Sequence, residues 1–261
     1  MTDLTRSRRL MLNAAPVVVG IGLWWTITTF VLVQPRLFPP PQDVLAELLR
    51  ILSNDGPLGS TYAHAGATLL RLLTAWAIAF VIGTLLGVLA GRKRLVFDFM
   101  ANPVWIAMSV PSVVWVFILL VLFGIENIVP VSALVLLLSA PVFLGTAEGV
   151  RAISKDLLEM CDSYHVRGWQ RLTEFYLPSI ASYMVANARV SFAYGIRIVL
   201  IAEVIGLPNG VGILVAYWSD TLFMAPIVAW GILLTAVGMA VDLLVFGPLQ
   251  RRIRQESELS R

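Results

Sequence analysis

Charge is scarce in this chain. Asp, Glu, Lys and Arg make up 13% of its 261 residues, roughly half the share of an ordinary soluble domain. Hydrophobic residues reach 58%, with a mean hydropathy of +0.84. A soluble fold of this length cannot hide so much apolar surface, so a water-soluble enzyme is excluded. Disorder is excluded too, because disordered chains are poor in hydrophobic residues. Cysteine occurs once, at Cys161, which rules out an internal disulfide framework. The two histidines, His64 and His165, are far apart in sequence and are not a metal cluster. There is no G-x-x-x-x-G-K-[ST] segment, so the chain has no phosphate-cradling loop with which to bind ATP. Low-complexity tracts and internal repeats are also missing.

What is present is a series of long uncharged runs. Residues 10–33, 72–91, 99–125, 127–147 and 221–241 contain no charged side chain, and 175–202 carries only Arg189 and Arg197. Each run is about 20 residues or longer, enough for a helix to cover roughly 30 Å of hydrocarbon. A β-barrel would need alternation, which runs such as Leu134-Val135-Leu136-Leu137-Leu138 do not have. The expectation is an all-α membrane protein that forms a single domain over 1–261. Its six transmembrane helices lie near 10–33, 68–91, 99–123, 127–149, 176–201 and 221–247.

Basic residues orient these spans. With the N-terminus inside, the cytoplasmic side holds Arg6, Arg8, Arg9, Arg92, Lys93, Arg94, Arg151, Lys155, Arg167, Arg171, Arg251, Arg252, Arg254 and Arg261, while Arg36 and Arg50 lie outside. The positive-inside rule therefore puts both termini in the cytoplasm. The pI near 9.3 reflects these loops and not a nucleic-acid surface. The first run exceeds a signal-peptide core and lacks a small-x-small cleavage site, so it is read as a retained helix. Outside, Pro39-Pro40-Pro41 precedes an amphipathic helix over 42–53, which either packs on the spans or touches substrate.

Several residues inside the spans stand out. Pro111 removes one helical hydrogen bond and should kink or break the third span, either to shape a cavity or to serve packing. Arg189 and Arg197 share a broad face of the fifth span. Either they line a path for an anion, or Arg189 pairs with a carboxylate while Arg197 snorkels to the interface. Glu203 pairs with Arg197 only if the helix has ended by then. The run Gly206-Leu207-Pro208-Asn209-Gly210-Val211-Gly212 breaks that helix.

The inside loop over 151–175 is the least hydrophobic part of the chain. Leu157, Leu158 and Cys161 form one apolar face, Asp156 and Glu159 have the spacing of a capping pair, and His165-Val166-Arg167-Gly168 separates them from Trp169 and Leu172. Such a helix-turn-helix either folds back on the spans or docks a cytoplasmic subunit. Glu159-Met160-Cys161, His165, Phe175, Leu177 and Pro178 resemble the EAA motif of permease subunits of bacterial ATP-binding-cassette importers. Leu37-Phe38-Pro39-Pro40-Pro41, Thr68-Leu69-Leu70-Arg71, Pro111, Ala188-Arg189, Ala202-Glu203 and Gly210-Val211-Gly212 resemble those for taurine, sulfonates, nitrate and bicarbonate. Met160-Cys161 replaces Ala-Ala. His165 replaces a glycine that would normally adopt a positive φ after a helix.

The resemblance implies a type I importer permease fold and a non-catalytic subunit that forms the path of a small anionic organic or inorganic solute. The chain itself binds no cofactor; ATP and Mg²⁺ belong to a cytosolic ATPase dimer. A second copy or a homologous permease, a periplasmic or lipid-anchored solute-binding protein and membrane lipid complete the partners. Leu157, Leu158, Glu159, Met160, Cys161, His165 and Gly168 are the expected ATPase contacts. Leu158 and Cys161 would fill a groove on the ATPase, and Glu159 would either pair with a basic residue there or serve only as a cap. Pro111, Arg189, Arg197 and Glu203 are the expected path residues. The competing classes are a stand-alone secondary transporter, which would need a repeat and buried ion-coupling carboxylates, and an intramembrane lipid-modifying enzyme, which would need clustered polar groups.

Overall fold

A computed structural model describes residues 6–32, 34–165 and 168–259, with side chains from 15 to 253 and at 255. The sequence readings on Val33, Val166, Arg167 and Arg261, and on the side chains of Arg6, Arg8, Arg9 and Arg254, lie outside the described residues. Every regular element described is helical. The helices are α1 (Arg6–Thr26), α2 (Pro41–Leu52), α3 (Thr61–Arg92), α4 (Arg94–Ser109), α5 (Ser112–Phe123), α6 (Ile128–Arg151), α7 (Lys155–Ser163), α8 (Gly168–Gln170), α9 (Leu177–Ser179), α10 (Ala181–Gly206), α11 (Val211–Asp220), α12 (Met224–Val241) and α13 (Gly247–Leu259). Wider π turns occupy Ile27–Val31, Arg171–Tyr176 and Asp242–Phe246. Among the described residues, three helical stretches are long and apolar enough to cross a membrane, or up to 5 when each bent helix pair is taken as one span.

The chain forms two compact units. The first takes residues up to Tyr62 together with Leu214–Leu234. Within it the Trp24 indole N–H donates to the Pro39 carbonyl at 3.1 Å. The proline run ends with Pro41 in the first turn of α2, where a missing N–H costs nothing. Val44 and Ile51 of α2 are buried, and Leu45, Leu49 and Leu52 are exposed. The Met224 N–H donates to the Arg36 carbonyl at 2.8 Å.

The second unit covers Ala63–Ile213 and the chain from Thr235 onward, and α6 is its centre. On one side Gly83, Gly87 and Gly91 put three glycines, spaced by four, on one face of α3. A Cβ at Gly87 would stand 2.6 Å from Thr146 Cβ and 2.7 Å from the Phe143 carbonyl, and one at Gly83 would stand 2.8 Å from the Ser139 carbonyl. The two backbones are therefore in direct contact, the packing mode that small residues allow between membrane helices. On the other side, Gly145 and Gly149 of α6 receive Asn187 and Tyr183 of α10. Between these seams lies a core of Leu72, Ala75, Ala79, Leu134, Leu138, Phe192 and Val199. Pro111 separates α4 from α5, which meet at 97°. Val116 then returns α5 to Val129, Ala133 and Ala202.

Candidate functional site

Two features of the second unit carry polar chemistry: a buried network at the end of α10, and the loop that holds α7. The network starts from a stripe on α3. His64, Thr68 and Arg71 are four and then three residues apart, so they share one helix face. All three are buried. Arg71 Nη1 donates to Glu203 Oε1 at 2.7 Å and to the Asn209 carbonyl at 2.9 Å. Its Nε and Nη2 donate to Asn127 Oδ1 at 3.1 and 2.6 Å, and Nη2 also reaches Asn209 Oδ1. The Glu203 carboxylate is fully buried. Its Oε2 accepts from the Thr68 hydroxyl at 2.8 Å and from the Gly212 N–H at 3.0 Å. The Thr68 hydroxyl in turn accepts from the Val211 N–H at 2.8 Å, and His64 Nδ1 meets the Gly210 backbone at 3.1 Å.

A buried charge is tolerable only when paired and fully hydrogen-bonded. Here both charges are: the carboxylate accepts from the Arg71 guanidinium, the Thr68 hydroxyl and the Gly212 N–H of the segment that ends α10. Gly210 has φ +121, and a Cβ there would land on the Glu203 carboxyl group. At Gly212 a Cβ would stand 2.7 Å from the Leu200 carbonyl. These glycines let the backbone close over the carboxylate. The network thus fixes where α10 stops, and Glu203 pairs with Arg71, not with Arg197.

The loop is anchored from within. Ser154 is the cap of α7, its hydroxyl accepting the Leu157 N–H at 3.4 Å, so Asp156 lies inside the first turn and the expected Asp156–Glu159 capping pair is displaced by two residues. Cys161 is only 3% exposed. Leu158 packs with Ile153, Leu172 and Phe175 on the core of Val88, Val150, Tyr176 and Ile180. Leu158 and Cys161, expected to enter a partner's groove, are therefore turned into the protein's own core. The outward face holds Leu157, Met160 at 50% exposure and Tyr164 at 77%, with Trp169 at 73% beyond the turn. Glu159 is exposed beside them.

His165 adopts φ +55 just past the end of α7, and Gly168 adopts φ +61 at the start of α8, so both take the left-handed conformation. The histidine compensates for the missing glycine with its side chain, Nδ1–H donating to the Asp162 carbonyl at 3.0 Å. The Asp162 carboxylate accepts from Arg171 at 2.6 Å, tying α7 to the π turn. Burial works against the Arg171 charge, but Tyr176 and Asp162 outweigh it and hold the guanidinium above its ordinary pKa. Arg92 lies over the same Tyr176 ring at 5.0 Å.

Of the remaining expected residues, Arg189 is ion-paired with Asp242 of the third π turn, Nη2 to Oδ2 at 2.6 Å. Arg197 is exposed on α10, with Tyr194 nearby. Pro111 is exposed at the α4–α5 break. Sequence reasoning missed Asn127, Asn209 and the His64 and Thr68 side chains as partners of this network. The regular spacing of His64, Thr68 and Arg71 was the available signal.

Long apolar helices, two bent helix pairs among them, give the described residues the architecture of a membrane protein. Residues 83–255 match the family described as "Binding-protein-dependent transport system inner membrane component", and the chain belongs to that family. It is similar to the taurine transport system permease protein of Escherichia coli, 26% identical over 248 residues, covering 95% of this chain and 90% of that one. It is also similar to a putative aliphatic sulfonates transport permease of Bacillus subtilis, at 20% identity over 77% of this chain and 71% of that one. A third relative is the bicarbonate transport system permease of Synechococcus elongatus, 28% identical over 69% of this chain and 65% of that one. The chain is a translocation subunit of an ATP-binding-cassette importer, resident in the inner membrane; it is not an enzyme, and ATP hydrolysis belongs to a separate subunit.

Proposed function

We propose that this permease spans the membrane six times as one domain in the type I importer fold, with both termini cytoplasmic. The six spans are α1, α3, the α4–α5 pair, α6, α10 with its continuation, and α12. The excess of Lys and Arg in 92–94, 151–171 and 251–261 supports this orientation. The segment 151–175 is the coupling loop. A cytosolic ATPase dimer grips it, with ATP and Mg²⁺ on that partner. A second permease copy or a homologous permease completes the membrane portion, and a periplasmic or lipid-anchored binding protein delivers the solute.

One observation carries the coupling role: α7 is held by its own chain on the Leu158 and Cys161 side, and it offers Leu157, Met160 and Tyr164 on the other. A lever needs a fixed side and a free side. Glu159 supplies an anionic contact next to the free side, and the left-handed residues His165 and Gly168 set the exit of the loop. Movement of the ATPase then reaches α10 through the π turn and α9. The solute path runs along the α4–α5 break at Pro111 and the exposed face of α10 at Arg197. Glu203 and Arg189 shape it through their ion pairs. The relatives named for taurine, sulfonates and bicarbonate support a small anionic solute.

The test is Glu159→Arg in the assembled transporter. ATP hydrolysis should continue while uptake falls at least about tenfold, at unchanged membrane abundance. Wild-type uptake by this variant would remove the coupling role of Glu159. Cysteines at Leu157 and Met160 should crosslink to the ATPase. Failure of both to do so in intact membranes would remove the docking face.

A further inference from the structure

Three arginines lie within apolar helices of the second unit, and their surroundings differ. Arg71 is neutralised by Glu203 and Arg189 by Asp242. Arg197 has no such partner: among the described residues no carboxylate lies within ion-pair distance, and its recorded contact is the Tyr194 ring, 5.9 Å from the guanidinium. It is not near a helix end either. The 26 residues of α10 make a rod of about 39 Å, and Arg197 stands about 14 Å from its Gly206 end. With α10 centred on a hydrocarbon core of roughly 30 Å, that leaves it about 9 Å inside. On the same exposed face lie Val190, Ala193 and Tyr194, which leave space and no competing charge.

An ionised side chain at this depth faces water or a counter-charge. Two neighbouring arginines obtain theirs from the chain, so the third must obtain it from outside. We infer that Arg197 is the counter-charge for the translocated solute, binding a small oxyanion such as a sulfonate or a carboxylate. The planar guanidinium donates two parallel hydrogen bonds to such a group. A single cation, unsupported by a second one, also holds the anion weakly enough to release it. This inference rests on the permease path and anionic solute proposed above and adds the residue that reads the solute's charge.

A thiol placed at Ala193, one turn from Arg197, tests it in the full-length chain in native membranes. Two thiol reagents are compared: anionic sulfonatoethyl methanethiosulfonate and cationic trimethylammonioethyl methanethiosulfonate, each scaled to its rate with a free thiol. The parent chain, whose sole thiol is the buried Cys161, gives the background. The expected result is a preference of about tenfold or more for the anionic reagent, abolished by Arg197→Gln and retained by Arg197→Lys. Equal rates, or a preference that survives Arg197→Gln, would overturn the assignment. Absence of labelling by both reagents in correctly inserted protein would also overturn it and make a lipid phosphate the partner. Crosslinking of Met160→Cys to the ATPase in the same membranes reports separately on the permease reading.

Discussion

Arg71 and Glu203 are 132 residues apart in sequence and meet at 2.7 Å, with the carboxylate fully enclosed. The pair joins the first half of α3 to the end of α10. It also places Asn127, from the segment before α6, and Asn209, from the segment after α10, on the same guanidinium. Arg71→Met should destabilise the protein by about 3–5 kcal/mol, because it leaves a buried carboxylate without its cation. The double variant Arg71→Met/Glu203→Met should recover only part of this loss, since Asn127 and Asn209 still lack their donor. Unfolding by SDS titration from mild detergent micelles measures both.

The glycines above Glu203 make a sharper test. Gly210 and Gly59 both have positive φ, +121 and +97, but only Gly210 has a neighbour where a Cβ would go. Alanine at either position pays the backbone strain, while at Gly210 it also collides with the Glu203 carboxyl group. Gly210→Ala should therefore lose about 2 kcal/mol or more, and clearly more than Gly59→Ala. Equal losses in the same titration would mean that backbone strain alone, and not closure over the carboxylate, selects glycine at position 210.

The α3–α6 seam predicts opposite signs for two substitutions on one helix. Gly87→Ala puts a Cβ 2.6 Å from Thr146 Cβ and against the Phe143 carbonyl, whereas Gly66 has nothing within 4 Å. Gly87→Ala should push the two helices apart and destabilise by about 1–3 kcal/mol. Gly66→Ala meets no obstacle and should gain up to about 1 kcal/mol from helix propensity. Thermal unfolding of the two variants side by side decides it.

The helical fold was legible because uncharged runs of this length have few other solutions in lipid. The break at Pro111 was legible because proline removes a specific hydrogen bond. Partners distant in sequence were not legible. Nothing local distinguishes Glu203 paired with Arg71 from Glu203 paired with Arg197, since the choice depends on which helices are neighbours. The face of α7 was half legible. Helical spacing groups Leu157, Leu158 and Cys161 as apolar, but it cannot say that Leu158 turns inward on Ile153 and Phe175 and that Cys161 is buried while Leu157 turns outward. The cap was misplaced for a related reason. Asp156 and Glu159 have the right spacing, and Ser154 has the right geometry.

The two faces of α7 should fail in different ways. Cys161→Asp places a carboxylate in a position that is 3% exposed. Burying an unpaired charge costs several kcal/mol, so this variant should lose α7 packing and membrane abundance together. Met160→Asp places the same charge at a position 50% exposed, one residue away, where folding should be nearly unaffected. If the outward face docks the ATPase, Met160→Asp should insert normally and purify without its ATPase, with uptake reduced at least about tenfold. Abundance from membrane blots and co-purification of the ATPase separate the two outcomes. Normal co-purification of Met160→Asp would place the docking contact elsewhere, and Glu159, Tyr164 and Trp169 would be the next residues to test on that face.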